Sequence, residues 1–401
     1  MHLNFIKNTV LLFVLTLLSC RNTSNSQSLE VNESPIILGA QQTERYLPIL
    51  KNKNIGIVAN QTSVIFKAIG HTHLVDSLLK LNIKVKKVFA PEHGFRGTAD
   101  AGEYIKDGID AGTGIPIVSL YGENKIPDAA ILSDLDIVIF DIQDVGARFY
   151  TFLSTLHYMM ETCANLGITV LVLDRPNPNG HYVDGPTLDL QHTSFVGVHP
   201  VPVVHGLTVG EYAQMINGEG WLKEGVKCDL KVIPLHNYTH STTYQLPINP
   251  SPNLPNSKAI NLYPSLCFFE GTNMSMGRGT ENQFQVIGSP YLKGDLYNYS
   301  FTPIPNIGAK YPVHKGEICK GLNLQNLARL DFIELKWLVD AYQNTSDKTV
   351  FFNPFFTKLA GQELLQKKIE SGWTAQEIRA SWKSDLEHYK LIRAPYLLYP
   401  L

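Results

Sequence analysis

The sequence predicts an α/β fold: a parallel sheet with helices on both faces, followed by a smaller C-terminal α+β domain. Three observations lead to this prediction. Short apolar segments alternate with segments of helical periodicity, as in βαβ units. The apolar segments are rich in Val and Ile throughout rather than alternating with polar residues, which is typical of strands covered on both faces. A Pro- and Asn-rich stretch at 246–265 then ends the pattern and indicates a second domain.

The N-terminus has the pattern of an exported lipoprotein. Lys7 precedes an apolar run at 10–18 that is too short to span a bilayer, and Ser19 and Cys20 follow it. We predict a signal peptide over 1–19, a lipid on the Cys20 thiol and a flexible tether over 20–35. We therefore expect the protein in the cell envelope, on the periplasmic side, anchored to a membrane by this lipid.

After the tether we predict two domains, 36–245 and 246–401, with a border near residue 245. The C-terminal part ends in two helical patterns, and Thr374 with Glu377 three residues later predicts a capping box for the second. The predicted strands are 54–60, 85–92, 116–122, 135–144, 168–176 and 230–235, and the predicted helices are 71–81, 150–167, 208–220, 354–372 and 374–393.

Composition and missing motifs exclude several classes of function. The 401 residues include 34 basic and 36 acidic ones, so no overall charge favours nucleic acid. The cysteines after Cys20 are widely spaced, unlike zinc ligands, and no disulfide, metal or cofactor is predicted. The first strand leads into Asn60 rather than a glycine-rich phosphate loop, and GxSxG and HExxH are absent.

Polar residues collect where the predicted strands end, which is where ligands bind in open parallel sheets. Together they predict a substrate site. The residues that we assign to it are Asn60, Glu92, His93, Arg96, Tyr121, Asp141, Asp144, Arg148, Tyr150 and Asp174. Asp144 has an alternative interpretation as a cap of the helix that follows, and His93 has one as a structural residue.

Glu92 is the first candidate for catalysis. It follows Phe89, Ala90 and Pro91 and precedes Phe95, and apolar neighbours favour the protonated carboxyl that a general acid requires. The alternative is an ion pair with Arg96 that only holds the loop.

A second dense segment, 268–290, combines several glycines with Glu270, Asn273, Arg278 and Glu281. Glycines let a backbone approach a ligand closely, so we expect the loop 271–281 to form one wall of the pocket. The Arg278 guanidinium suits a carboxylate on the substrate. Glu270 and Glu281 are the alternatives for a second catalytic carboxylate.

Seven motifs together resemble a known family, the NamZ-type exo-β-N-acetylmuramidases of glycoside hydrolase family 171, formerly a domain of unknown function. The resemblance runs from about residue 36 to the C-terminus. The motifs are VANQTS (58–63), APEHGFRG (90–97), YG (121–122), FDIQDVGARFYT (140–151), DRPNPNG (174–180), HGLTVGEYA (205–213) and EGTNMSMGRGTE (270–281).

This resemblance implies a Rossmann-like catalytic domain, an auxiliary C-terminal domain and a cleft between them. The implied activity is removal of N-acetylmuramic acid from the non-reducing end of peptidoglycan fragments, in cell-wall turnover and recycling. The substrate would be a muropeptide or a MurNAc-GlcNAc glycan. Glu92 matches the presumed catalytic glutamate of the family, and His205 joins the substrate-binding candidates. The partner of Glu92 stays open among Glu270, Glu281 and the acetamide of the substrate.

Two other functions compete with this interpretation. A metal-dependent hydrolase would use Glu92, His93, Asp141, Asp144 and His205, but the sequence offers no closely spaced ligand pair. A non-catalytic muropeptide-binding lipoprotein would bind wall fragments without turnover, and such a receptor needs no acid flanked by apolar residues.

Overall fold

The structure, a computed structural model, describes residues 35–96, 103 and 107–401. The predicted signal peptide, Cys20 and the tether up to residue 34 lie outside the described residues. Residues 36–401 form one compact unit. In the part of the chain that is described, no helix is both long and apolar enough to cross a membrane.

The strands of the larger sheet confirm the α/β prediction. Its seven strands are β1 (Asn54–Ala59), β4 (Lys84–Ala90), β5 (Gly108–Ile109), β6 (Pro116–Ser119), β7 (Ile137–Asp141), β8 (Thr169–Leu173) and β11 (Leu230–Ile233). They lie in the order β11-β8-β7-β1-β4-β6-β5, and all neighbours are parallel except β5 and β6. Two short antiparallel pairs accompany this sheet, β2 (Val64–Phe66) with β3 (His71–His73) and β9 (Asp184–Thr187) with β10 (Pro202–Val204).

Both faces of the sheet are covered, as the continuous apolar runs predicted. Successive side chains of a strand point to opposite faces, and accordingly Ile57 and Ile139 belong to one buried cluster while Val58 and Phe140 belong to another. In register, Val58 lies beside Phe89 on β4 and Phe140 on β7. The residues that follow these strands therefore emerge at one edge of the sheet.

Eleven helices cover and extend this sheet within the described residues. They are α1 (Thr43–Leu50), α2 (Leu74–Lys80), α3 (Ala129–Leu132), α4 (Phe152–Leu166), α5 (Val209–Gly218), α6 (Ser257–Leu266), α7 (Lys336–Asn344), α8 (Phe355–Ala360), α9 (Leu364–Glu370), α10 (Ala375–Ala380) and α11 (Lys383–Arg393).

The structure differs from the helix predictions in several places. The first three residues of the predicted helix 71–81 form strand β3 instead, and α2 begins at Leu74. The pattern at 354–372 is two helices, because Gly361 adopts a left-handed φ of 72° and ends α8. The pattern at 374–393 divides at Trp382 into α10 and α11. The predicted capping box is confirmed, since the Glu377 carboxylate accepts the Thr374 backbone N–H at 2.8 Å and the Thr374 hydroxyl accepts that of Glu377.

The C-terminal part has the α+β character that was predicted. It contains an antiparallel sheet of β12 (Val286–Ser289), β14 (Cys319–Asn323) and β13 (Tyr299–Phe301) together with most of the later helices. Its core is continuous with the larger sheet, since Phe140, Phe268 and Phe356 belong to one buried cluster. The border near residue 245 stays a prediction.

Candidate active site

A cavity of about 400 Å³ lies at the edge where the parallel strands end, which is a size suited to a small ligand. Its lining joins both parts of the chain. Glu92 and His93 follow β4, Tyr121 follows β6, and Tyr150 and Thr151 lie just before α4, whereas Glu270, Arg278 and Lys358 come from the C-terminal part.

A tight turn and a hydrogen bond orient Glu92. The Gly94 N–H donates to the Pro91 carbonyl at 2.9 Å, and His93 adopts a left-handed φ of 70°. The Thr151 hydroxyl donates to Glu92 Oε2 at 2.6 Å. Because Thr151 also begins α4, where its carbonyl accepts the N–H groups of Ser154 and Thr155, the helix holds this donor in place.

Glu270 supplies a second carboxylate to the same cavity. It lies in a 3-10 turn, Cys267–Gly271, directly after α6, and its Oε1 is 3.5 Å from Nη1 of Arg278. Burial is the main cause that raises the pKa of Glu270; the Arg278 charge opposes this rise, and the negative charge of Glu92 adds to it. The side chains of Glu270 and Arg278 are 26% and 21% exposed, so a ligand in the cavity can reach both.

The glycine-rich loop places Arg278, but its glycines pack against protein rather than opening a path to a ligand. A Cβ on Gly279 would lie 2.7 Å from Pro312, and one on Gly277 would lie 2.5 Å from the Asn282 carbonyl. Both glycines have φ near 80°. Glu281 at the end of the loop is exposed and does not line the cavity. Asn273 does not line the cavity either.

Three strand-end residues of the predicted site form a buried network instead of lining the cavity. Asp141 pairs with Arg175, with Oδ1 and Nε 2.6 Å apart and both side chains buried. Asp174 accepts hydrogen bonds from Tyr399 and Thr208, while burial raises its pKa to about 6. Asn60 Oδ1 accepts both the backbone N–H and the hydroxyl of Thr62. These groups connect strands and loops beneath the site.

Arg148 joins distant segments of the chain. Its Nη1 donates to the carbonyls of Pro186 and Val201, and its Nη2 donates to those of Leu359 and Ala360 at 2.9 and 2.8 Å. It is buried, and burial lowers its pKa to about 9. Arg148 therefore holds α8 against the parallel-sheet part and does not line the cavity.

The remaining predicted residues also lie apart from the cavity lining. Asp144 is buried and accepts the Gly146 N–H at 2.6 Å. His205 is buried, and burial lowers its pKa to about 3. Arg96 forms a two-point ion pair with Asp110. Among the described residues, no three His, Cys, Asp or Glu side chains are grouped as metal ligands, so the ligand set of the metal-dependent alternative does not converge.

Sequence reasoning missed several lining residues. Thr151 closes the quoted motif 140–151, and its position at the start of a helical pattern was a usable signal. Lys125 and Phe195 lie outside the predicted elements, whereas Tyr263 lies in the Pro- and Asn-rich stretch 246–265 and Lys358 lies in the predicted helix 354–372. None of the four carried a signal for a site, and they reach the cavity only through the fold. Cys163, Cys228, Cys267 and Cys319 are free, buried thiols.

Two carboxylates line this one cavity, Glu92 after a parallel strand and Glu270 from the C-terminal part. A carboxylate pair beside the scissile bond is what most glycoside hydrolases use, so the fold and the site fit that class of enzyme. Residues 55–258 match the family model "Exo-beta-N-acetylmuramidase NamZ, N-terminal", and residues 261–399 match the corresponding C-terminal model. The chain therefore belongs to the NamZ exo-β-N-acetylmuramidase family, as the motifs indicated.

Individual relatives agree with this assignment. The chain is 35% identical over 377 residues to the peptidoglycan beta-N-acetylmuramidase NamZ of Bacillus subtilis (strain 168), covering 88% of this chain and 89% of the relative. It resembles a DUF1343 family protein from Bacteroides fragilis NCTC 9343 with 50% identity and a TM-score of 0.83, over 92% of this chain and 99% of that one. A second DUF1343 structure from the same strain has 26% identity and a TM-score of 0.78, over 91% and 99%.

Proposed function

We propose that this protein is an exo-acting β-N-acetylmuramidase that removes the terminal N-acetylmuramic acid from peptidoglycan fragments during cell-wall turnover and recycling. One observation carries the proposal: Glu92 and Glu270 line a single cavity in a chain of this family. The substrate class is that of the Bacillus subtilis relative, whose name gives peptidoglycan and a β-N-acetylmuramide.

Glu92 acts as the general acid in this proposal. Its Oε2 accepts the Thr151 hydroxyl at 2.6 Å, so the proton to be transferred is carried on Oε1. That proton passes to the glycosidic oxygen while the bond from this oxygen to the anomeric carbon breaks, and Glu92 is left as a carboxylate. In a retaining route Glu92 then takes a proton from the attacking water, whereas in an inverting route that proton goes to the second carboxylate and Glu92 is reprotonated from solvent.

Glu270 is the better second carboxylate of the two that the sequence offered, because it lines the cavity and Glu281 does not. The Arg278 charge beside it opposes the rise in pKa that burial causes, and so favours the ionised form that a base or nucleophile requires. Glu270 would activate the water or attack the anomeric carbon directly; participation by the substrate acetamide is the third route. Anomeric analysis of the product by NMR separates inversion from retention.

Positive groups in the cavity suit the lactyl carboxylate that distinguishes muramic acid from glucosamine. Arg278 lies on the Glu270 side, and Lys358 lies on α8. We propose that Arg278 binds this carboxylate. Arg278→Ala should weaken binding of muramides far more than of the matching glucosaminides, and equal losses on both would contradict a carboxylate clamp.

The activity test compares the wild type with two carboxylate variants on MurNAc-GlcNAc. We expect Glu92→Gln to lose about a hundredfold or more in kcat, the size of a general-acid contribution. Glu281→Gln is the matched control, since that carboxylate is exposed and outside the cavity, and it should keep normal activity. Near-normal turnover by Glu92→Gln would remove Glu92 from the mechanism, while binding of MurNAc-GlcNAc without any wild-type turnover would favour a receptor.

We also propose that a lipid on Cys20 anchors the protein to a membrane on the periplasmic side. The proposal rests on the residues of the N-terminal segment alone, namely Lys7, the apolar run 10–18 and Ser19 before Cys20. Growth with an alkyne-labelled fatty acid should label the wild type, and Cys20→Ala should lose both the label and the membrane fraction. Unchanged labelling of Cys20→Ala would contradict the assignment.

A further inference from the structure

One wall of the cavity is the tip of a tight turn. Ser194 and Gly197 exchange two backbone hydrogen bonds of 2.9 and 3.0 Å, which leaves Phe195 and Val196 as the central residues, and both line the cavity. The base of the turn rests on the buried Arg148, because a Cβ on Gly197 would lie 3.4 Å from that side chain. The backbone thus holds the Phe195 ring in a defined place.

Neighbouring aromatic rings fix the orientation of Phe195. Its ring lies 6.0 Å from that of Tyr121, tilted by 58°, and 6.3 Å from that of Tyr158, with only 2° between the planes. The Lys125 ammonium lies 4.9 Å from the centre of the Phe195 ring. Tyr121, Lys125 and Phe195 all line the cavity.

The exposed fractions of the aromatic side chains indicate that Phe195 and Tyr121 lie at the cavity mouth. Tyr121 and Phe195 are only partly buried, whereas Phe149, Tyr150 and Tyr263 in the same cavity are 3%, 7% and 8% exposed. An enzyme that removes a terminal sugar holds that sugar at the closed end of its pocket, so the rest of the substrate leaves through the mouth.

We propose that Phe195 and Tyr121 form a stacking platform for the leaving-group sugar, the pyranose ring that follows the terminal N-acetylmuramic acid. The inference rests on the proposed function and adds a second sugar site to it. A β-pyranose presents axial C–H groups on its faces, and an aromatic face attracts such groups and removes apolar surface from water. Because the stem of Lys125 is flexible, its ammonium can leave the ring face and donate to hydroxyls at the rim of the bound sugar.

The test compares two substrates that differ only in the leaving group. MurNAc-GlcNAc carries a leaving pyranose, whereas 2,2,2-trifluoroethyl β-N-acetylmuramide carries no ring there. We expect Phe195→Ala to raise KM for the disaccharide by about three- to tenfold, as loss of one aromatic contact implies, and to leave KM for the trifluoroethyl glycoside within about twofold. Phe195→Tyr should restore the disaccharide, and Phe195→Leu, which keeps apolar volume, should not.

Trp373→Ala is the matched control, since Trp373 is 40% exposed, carries the Lys368 ammonium 5.1 Å from its ring and lies outside the cavity lining. It should leave both KM values unchanged. Equal losses on both substrates for Phe195→Ala would place the platform under the terminal sugar, and no loss on either would show that the ring contacts no sugar; each result overturns the proposal. If the wild type cleaves neither substrate, the proposed function fails, and calorimetric binding of MurNAc-GlcNAc to wild type and Phe195→Ala still decides on the platform.

Discussion

Asp144 gives the protein a pH-dependent stability that one substitution should remove. Its Oδ2 accepts the Gly146 N–H at 2.6 Å, while its buried Oδ1 has no hydrogen-bond partner among the described residues. Burial raises the pKa of Asp144 from 3.8 to about 7. The folded state therefore holds the proton more tightly than the unfolded chain does.

The sign and size of the effect on the free energy of unfolding follow from this difference in pKa between the folded and unfolded states. Between about pH 4 and pH 7 the unfolded chain has lost the proton and the folded protein has kept it, so stability falls as the pH rises. Each unit of pKa difference corresponds to about 1.4 kcal/mol, which amounts to about 4 kcal/mol across this window. The contribution is complete below pH 4 and is lost as the pH rises through 7.

Asp144→Asn carries no titrating proton and should not lose this stability. The difference in free energy of unfolding between variant and wild type should move by about 4 kcal/mol in favour of the variant from pH 4 to pH 8, measured by urea denaturation at several pH values. Asp295→Asn, at an exposed position, should show a constant difference. If the difference in free energy of unfolding is constant for Asp144→Asn as well, Asp144 is ionised in the folded protein. A large increase in the KM of Asp144→Asn would instead indicate that Asp144 contacts the substrate.

Two further predictions concern the support of the site. Thr151→Val keeps the shape of the side chain but removes the hydroxyl that contacts Glu92, so the rate of MurNAc-GlcNAc hydrolysis should fall about tenfold. The rate on an activated aryl muramide, which needs little proton donation, should fall much less, and Thr151→Ser should restore the rate on MurNAc-GlcNAc. Equal slowing of both substrates would indicate a general structural defect. Arg175→Met leaves the buried Asp141 carboxylate without its partner, and urea denaturation should show a free energy of unfolding that is lower by about 3–5 kcal/mol. Adding Asp141→Asn should recover part of this loss. No recovery would mean that the loss does not come from the unpaired Asp141 carboxylate.

The positions of polar residues show where sequence reasoning stops. Apolar runs and their periodicity reveal which residues follow a strand, because strand formation depends on neighbours along the chain. They do not reveal which of these residues face the ligand. Glu92 and Tyr121 line the cavity, whereas Asp141 and Asp174 turn into buried networks with Arg175 and Tyr399.

The sequence by itself therefore determined the parallel sheet, the family and Glu92 at a strand end, since these depend on local pattern and on ordered motifs. Only the tertiary structure decided that Glu270 rather than Glu281 faces the cavity, that Arg148 ties α8 to the parallel-sheet part, and that the turn carrying Phe195 reaches the mouth. Each of these depends on contacts between residues far apart in the chain. Local periodicity carries no record of such contacts, because packing selects them only when the elements come together.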